Sequence, residues 1–268
     1  MNKTQTFWEH LDELRGSIIR IAVVTVICGI TAFFFKDELF SIILAPKNSD
    51  FITYKLFGYI NEWISPSGNG LENISVSLIN TRLADQFFIH MKMAFYAGFL
   101  FASPYALFLI FRFISPALIK NEKKYALRVA GSGYIMFILG VLLSYMLIFP
   151  LTFRFLGTYQ VSTEIENTIT LHSYIDTMLI LNLMMGIIFE IPVLCWLFAK
   201  LGFLSADFMK RYRKHAVILI LIIAAIITPT ADVFTLLLVS APIYLLYEVS
   251  ISIVKKVNRI KGKELVMA

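Results

Sequence analysis

Apolar residues run through this chain in long blocks, separated by short polar stretches rather than alternating with them. A helix needs about 20 mostly apolar residues to cross about 30 Å of hydrocarbon. Blocks of that kind lie at 18–35, 87–111, 126–149, 175–198 and 233–254, and a shorter one at 213–227 is uninterruptedly apolar only from Ala216. The pattern predicts six membrane-spanning helices. The fifth and sixth look short, the fifth because it meets Thr228-Pro229 after about a dozen apolar residues, the sixth because Pro242 and Glu248 interrupt it. The first block has polar flanks and no small-residue cleavage site after it, so it is expected to be retained.

Between the first two blocks lies a long polar segment, 36–85. Within it Ile52, Leu56, Ile60 and Trp63 recur as one face of a helix, which predicts a short external cap. Pro66-Ser67-Gly68-Asn69-Gly70 then breaks the chain, and Ile74, Val76 and Leu78 alternate with serines as a short extended piece does. The domain expectation is one integral membrane unit, 1–268, with a tail from 255 to 268. No internal repeat is visible, which weighs against transporters built from inverted repeats.

Composition agrees with this layout: 58% of the 268 residues are hydrophobic and 16% are charged, too little charge for a soluble domain with a wetted surface. The distribution of charge adds orientation. Eighteen of the 24 Lys and Arg fall on the side holding both termini, five on the other, and Lys92 lies within a span. Basic residues near span ends stay on the cytoplasmic side, so both termini are expected there. The net charge of +6 is therefore a matter of topology and does not call for nucleic acid. With no transit signal, the expected location is a bacterial cytoplasmic (inner) membrane.

Chemistry-bearing residues are few. Cys28 and Cys195 fall inside apolar blocks, and His10, His90, His172 and His215 are scattered, so neither metal nor cofactor is expected. No Gly-Lys-Ser/Thr phosphate loop is present, so any work must draw on an ion gradient or on a partner. Ala130-Gly131-Ser132-Gly133 is a weak match to intramembrane serine proteases, with no histidine in a span to activate Ser132; small residues for helix packing explain it better.

Three acids, Glu9, Asp12 and Glu13, stand on the basic side of the membrane, and Glu122 stands alone among Lys120, Lys123 and Lys124. A helix dipole favours acids in a first turn and a loop acid makes solvated salt bridges, which is the plain reading. Two carboxylates on one face also suit two guanidinium groups, each held by paired hydrogen bonds. Within the fourth block, Glu190 precedes Pro192. A charge there costs about 3 kcal/mol or more, so the group must be protonated, paired or facing a polar cavity. Pro192 frees a backbone carbonyl that a protonated Glu190 could satisfy instead. Lys92 lies a turn or two from the external end of its span, within snorkelling reach of water.

These motifs together resemble one family, TatC, the multi-span receptor subunit of the twin-arginine protein translocase. The resemblance runs in order through His10-Leu11-Asp12-Glu13-Leu14-Arg15, Ala45-Pro46, Ser103-Pro104, Phe113-Ile114-Ser115-Pro116-Ala117-Leu118, Glu122-Lys123-Lys124, Phe189-Glu190-Ile191-Pro192, Thr228-Pro229 with Asp232, and Pro242 with Tyr247-Glu248. It implies an all-helical fold of six spans in a concave, glove-like arrangement with short fifth and sixth spans and an external cap. It implies that Glu13 and Glu122, with Arg15, Lys120 and Phe113 around them, bind twin-arginine signal peptides of folded cargo proteins. By the same resemblance Glu190 and Lys92 belong to an intramembrane polar pocket. Thr228, Pro229, Asp232 and Leu236 lie where single-span TatA/TatB-type partners dock, the receptor self-associates among membrane lipids, and the proton-motive force drives transport. Phe111 stands where the family commonly has Trp, and Leu236 where it carries Gln. A proton-coupled small-molecule transporter using Glu190 is the alternative reading.

Overall fold

In the computed structural model the described residues are 7–64, 78–114, 123–160, 162, 168–228 and 232–267. Eleven helices occur among them: α1 (Phe7–Phe33), α2 (Lys36–Leu44), α3 (Ile52–Ile64), α4 (Asp85–Ile114), α5 (Lys123–Leu143), α6 (Phe149–Thr158), α7 (Leu171–Ile188), α8 (Ile191–Leu201), α9 (Ala206–Arg211), α10 (Arg213–Ile227) and α11 (Val233–Met267). Two short strands, β1 (Leu78–Ile79) and β2 (Ile169–Thr170), pair in parallel and tie the cap to the loop before α7.

Five stretches are long and apolar enough to cross a membrane: Leu11–Phe33, Asp85–Phe113, Val129–Thr158, Leu171–Leu201 and Val233–Ile260. They coincide with five of the six expected blocks. The remaining block is α10, whose 15 residues rise about 22 Å, well under the hydrocarbon thickness. The sixth block is not interrupted. Its helix α11 runs for 35 residues straight through Pro242 and Glu248. Neighbouring helices hold it on both sides of the proline, and membrane helices tolerate Pro for that reason.

Two other spans depart from a regular α-helix. Between α5 and α6 a five-residue π turn, Ser144–Ile148, precedes Pro150. Between α7 and α8 the chain makes a turn at Phe189 and Glu190, with Pro192 in the first turn of α8, the position where a missing N–H does least harm. A third proline, Pro104, sits inside α4 without stopping it. Pro104 has no N–H for the Leu100 carbonyl one turn earlier, and the Ser103 hydroxyl donates to that carbonyl at 2.7 Å. The Ser-Pro pair thus repairs its own defect.

The cap is fastened to the spans by hydroxyl groups seeking unbonded carbonyls. Pro150 leaves the Met146 carbonyl without its donor four residues on, and Thr53 Oγ of α3 donates to it. The single hydroxyl proton of Tyr54 is shared between the carbonyls of Pro46 and Pro150, each 3.0 Å from the phenol oxygen. Carbonyls at the end of α2 accept from the other direction: Tyr145 donates to Ile42, which also accepts from Ala45 N, at 2.6 Å, and Tyr174 donates to Ile43 at 2.9 Å. As a result α3 docks through Thr53 and Tyr54, while Ile52 and Leu56 point outward, 63% and 57% exposed. The spacing of Ile52 and Leu56 foretold the helix and not the way it faces.

The main core gathers Ile89 and Met93 of α4, Phe149 and Phe153 of α6, five buried residues of α7 from Tyr174 to Met185, and Val239 and Ile243 of α11. Helix α1 lies to one side and packs chiefly on α4. Gly98 makes that contact possible: a Cβ built there would lie 2.4 Å from the nitrogen and 2.6 Å from the Cα of Gly29, and 2.8 Å from the Thr25 carbonyl. Small residues at such crossings let backbones approach in lipid, where packing rather than water exclusion drives association.

Candidate functional site

Glu13 is half-buried near the start of α1, while Asp12 and Arg15 are exposed. One turn on, Ser17 donates to the Glu13 carbonyl at 2.9 Å. Phe113 is half-buried at the end of α4. Lys120 and Glu122 lie outside the described residues, so the expected pairing of Glu13 with Glu122 has no geometry here.

Glu190 is better defined. It occupies the turn between α7 and α8, is 8% exposed, and neither carboxyl oxygen has a hydrogen-bond partner among the described residues. Its backbone is fully used: Glu190 N donates to Ile187 O at 3.1 Å, and Leu194 N donates to Glu190 O at 2.9 Å. The carboxyl group does not reach the carbonyl that Pro192 releases. It points toward Gly133 of α5, where a built Cβ would stand 3.0 and 3.4 Å from the two oxygens and 2.8 Å from Phe111 Cε2 of α4. Gly133 therefore makes the space that Glu190 and Phe111 share. Beside it Val129, Ser132, Met136, Pro192, Val193, Trp196 and Ile253 line an open apolar groove of about 370 Å³.

Lys92 is not in this pocket. Its Nζ sits 2.9 Å and 3.2 Å from the two carboxylate oxygens of Asp176. Asp176 precedes Glu190 by 14 residues, so along the helix the two sites are about 20 Å apart. Asp176 also lies 3.2 Å from His172 Nε2, and His172 Nδ1 lies 3.1 Å from the nearly buried Asp85 carboxylate. The four residues form a polar cluster joining the first two turns of α4 to those of α7, at the end of the bundle that carries the cap. Sequence reading missed the cluster because its members lie more than 80 residues apart in two pairs, each looking like an isolated boundary residue.

At the other expected partner site, Thr228 is buried and donates to Ala224 at 3.0 Å. Asp232 caps α11 by accepting from Thr235 N at 2.7 Å. Pro229 lies outside the described residues. Leu236 packs inward on the main core, and the exposed apolar side chains at this end include Ile226, Val233, Phe234 and Leu237. Ser132 donates to the Val129 carbonyl at 2.8 Å, an ordinary helix contact. Both cysteines are free thiols, half-buried.

On the cap, burial pushes the Tyr54 phenol up to about 12, and the nearby Arg154 guanidinium opposes the shift. Arg154 stands over the Tyr54 ring at 5.4 Å. The phenol is thus held as a donor to its two carbonyls throughout the physiological range.

Long apolar helices, repaired prolines and a carboxyl group buried among them define a polytopic, all-helical integral membrane protein. Residues 9–242 match the family model described as "Sec-independent protein translocase protein (TatC)", and the chain belongs to that family. It is 34% identical to the Sec-independent protein translocase protein TatC of Blattabacterium sp. subsp. Periplaneta americana, over 92% of this chain and 94% of the relative. It is 31% identical to the TatC protein of Carboxydothermus hydrogenoformans, over 95% and 94%. The fold is similar to a crystal structure of the twin arginine translocase receptor TatC, with a TM-score of 0.74 and 30% identity, covering 93% of this chain and all of that one. The chain is accordingly a protein translocase component.

Proposed function

We propose that this chain is the receptor of a twin-arginine translocase in a bacterial cytoplasmic membrane, with both termini cytoplasmic. The observation that carries the reading is the near full-length likeness to a solved twin arginine translocase receptor. Glu13 and Glu122 hold the paired arginines of a signal peptide, with Arg15, Lys120 and Phe113 shaping the surroundings. Arg presents a planar fork that matches a carboxylate with two parallel hydrogen bonds, so two acids select two arginines.

Glu190 then serves the transport step. A buried carboxyl without a protein partner is costly, and the space left by Gly133 keeps it open to a group arriving from outside the chain. Single-span TatA/TatB-type subunits are the arriving partners, and the exposed Ile226, Val233 and Leu237 around Thr228, Pro229 and Asp232 offer them an apolar landing face. Leu236 faces the core and supplies no polar contact. Lys92 acts with Asp176 at the external end, apart from the Glu190 pocket. The proton-motive force drives folded cargo across.

Photo-crosslinking to a twin-arginine signal peptide tests the reading. Glu13→Ala and Glu122→Ala abolish the crosslink while the protein still inserts, and Glu190→Gln lowers export more than crosslinking. Undiminished crosslinking in both alanine variants overturns it. Solute uptake that depends on Glu190, in vesicles holding only this chain, would favour a proton-coupled transporter.

A further inference from the structure

Helix α8 ends in a turn that brings the next segment back onto the bundle. Gly202 takes φ 92, and the bonds Gly202 N to Ala199 O at 3.1 Å and Phe203 N to Phe198 O at 3.0 Å close the helix end, a glycine-terminated stop that other residues adopt with strain. Ser205 then caps α9 by accepting from Phe208 N at 3.2 Å. Ala206 and Met209 turn inward onto Val254 and Val257 of α11 and Ala199 of α8, and Tyr247 donates to the Met209 carbonyl at 2.8 Å. The short helix is therefore pinned to the bundle by one face.

Its other face is aromatic and, with three cations against the one exposed acid Asp207, net basic. Phe203 is 80% and Phe208 55% exposed, and Tyr212 stacks loosely on Phe208 at 4.7 Å. Lys210, Arg211 and Lys214 are exposed beside them. None of the three has an ion-pair partner among the described residues, whereas neighbouring Arg213 is bound to Glu248 at 2.7 Å. The place of the face in the fold matters as much as its make-up. Phe203 stands two residues beyond a span that ends at Leu201, and Tyr212 directly precedes α10, which puts α9 at the level where hydrocarbon gives way to headgroups. Exposed rings are unfavourable in water and are accommodated at that level, and unpaired lysines and arginines there attract anionic headgroups.

We infer that α9 and the start of α10 form a docking surface for anionic phospholipid headgroups, with Phe203 and Phe208 set into the acyl boundary. The consequence falls on α10. Its 15 residues are too short for the bilayer, and anchoring their basic end to headgroups leaves the whole shortfall at the opposite end, where the bilayer must thin.

The test is lipid retention by the purified full-length chain in detergent, counted by native mass spectrometry. Phosphatidylglycerol and phosphatidylcholine are titrated separately. The wild type retains phosphatidylglycerol at about ten-fold lower concentration, and Lys210→Gln/Arg211→Gln/Lys214→Gln reduces the preference to about two-fold. Phe203→Ser/Phe208→Ser weakens retention of both lipids and keeps the preference. The control Lys36→Gln/Lys47→Gln/Arg82→Gln, on the opposite side, leaves the preference intact. Equal retention of the two lipids by the wild type, an unchanged preference in the first variant, or an equal loss in the control overturns the inference. Full displacement by glycerol phosphate overturns it in favour of a simple anion site, and tighter binding of an acidic peptide overturns it in favour of a protein partner. No signal peptide enters the measurement, so its outcome is separate from that of the receptor reading.

Discussion

Substitution of three glycines by alanine should give three different results, because their surroundings differ while the chemical change is the same. At Gly98 the new methyl carbon would stand 2.4–2.8 Å from backbone atoms of Gly29 and Thr25. Backbone cannot rotate away as a side chain can, so α1 and α4 must separate by about 1 Å to restore ordinary contact, at a cost of about 1–3 kcal/mol. At Gly29 the nearest atom to an added Cβ is the Ala94 carbonyl oxygen at 3.5 Å, which is normal contact, and at Gly16 nothing lies within 4 Å. In those two positions alanine is neutral or stabilising by about 0.5–1 kcal/mol through helix propensity. Only 22% of the first span's apolar window is buried, so α1 has little other packing to resist the separation. The loss should therefore appear as movement of the end that carries Glu13. Thermal unfolding in lipid nanodiscs and the yield of an engineered disulfide between α1 and α4 measure the two effects. A Gly98→Ala variant as stable as Gly16→Ala, with unchanged disulfide yield, would refute the close crossing.

Three further outcomes follow from the same geometry. The raised Tyr54 phenol contributes stability that is complete below about pH 10 and is lost as pH rises through about 12, because the unfolded chain gives up its proton first; hydrogen exchange in α3 should increase over that range in wild type and show no such step in Tyr54→Phe. Lys92 and Asp176 are each nearly half exposed, so a double-mutant cycle with Lys92→Met and Asp176→Asn should give a coupling of about 0.5–1 kcal/mol rather than the several expected of a buried pair. Ser103→Ala leaves the Leu100 carbonyl without a donor inside α4 and should lower stability by about 1–3 kcal/mol, while Ser103→Thr, which keeps the hydroxyl, should restore most of it.

The elements most legible in the sequence were those a local signal specifies. Apolar length located five crossing stretches, and the short run before Thr228-Pro229 located α10. Pro192 marked the region where the fourth span turns, although nothing local said that Glu190 would sit in the turn itself with its carboxyl aimed at Gly133. What remained hidden depends on contacts distant in the chain. The outward placing of Ile52 and Leu56 on α3 follows from Thr53 finding a carbonyl that Pro150 left free, 93 residues away. The cluster of Asp85, Lys92, His172 and Asp176 exists only once α4 and α7 lie side by side. Pro242 was a false signal of interruption, since helix breaking depends on whether neighbours hold the two halves in line.

The proposal that Glu13 and Glu122 recognise two arginines is open to equilibrium binding of a synthetic signal peptide to the purified chain. A peptide with paired arginines should bind about ten-fold or more tightly than the same peptide with paired lysines. Glu13→Gln and Glu122→Gln should each weaken binding and shrink that preference, while Asp12→Asn should leave both unchanged. Equal affinity for the two peptides, or wild-type binding in both Gln variants, would contradict it.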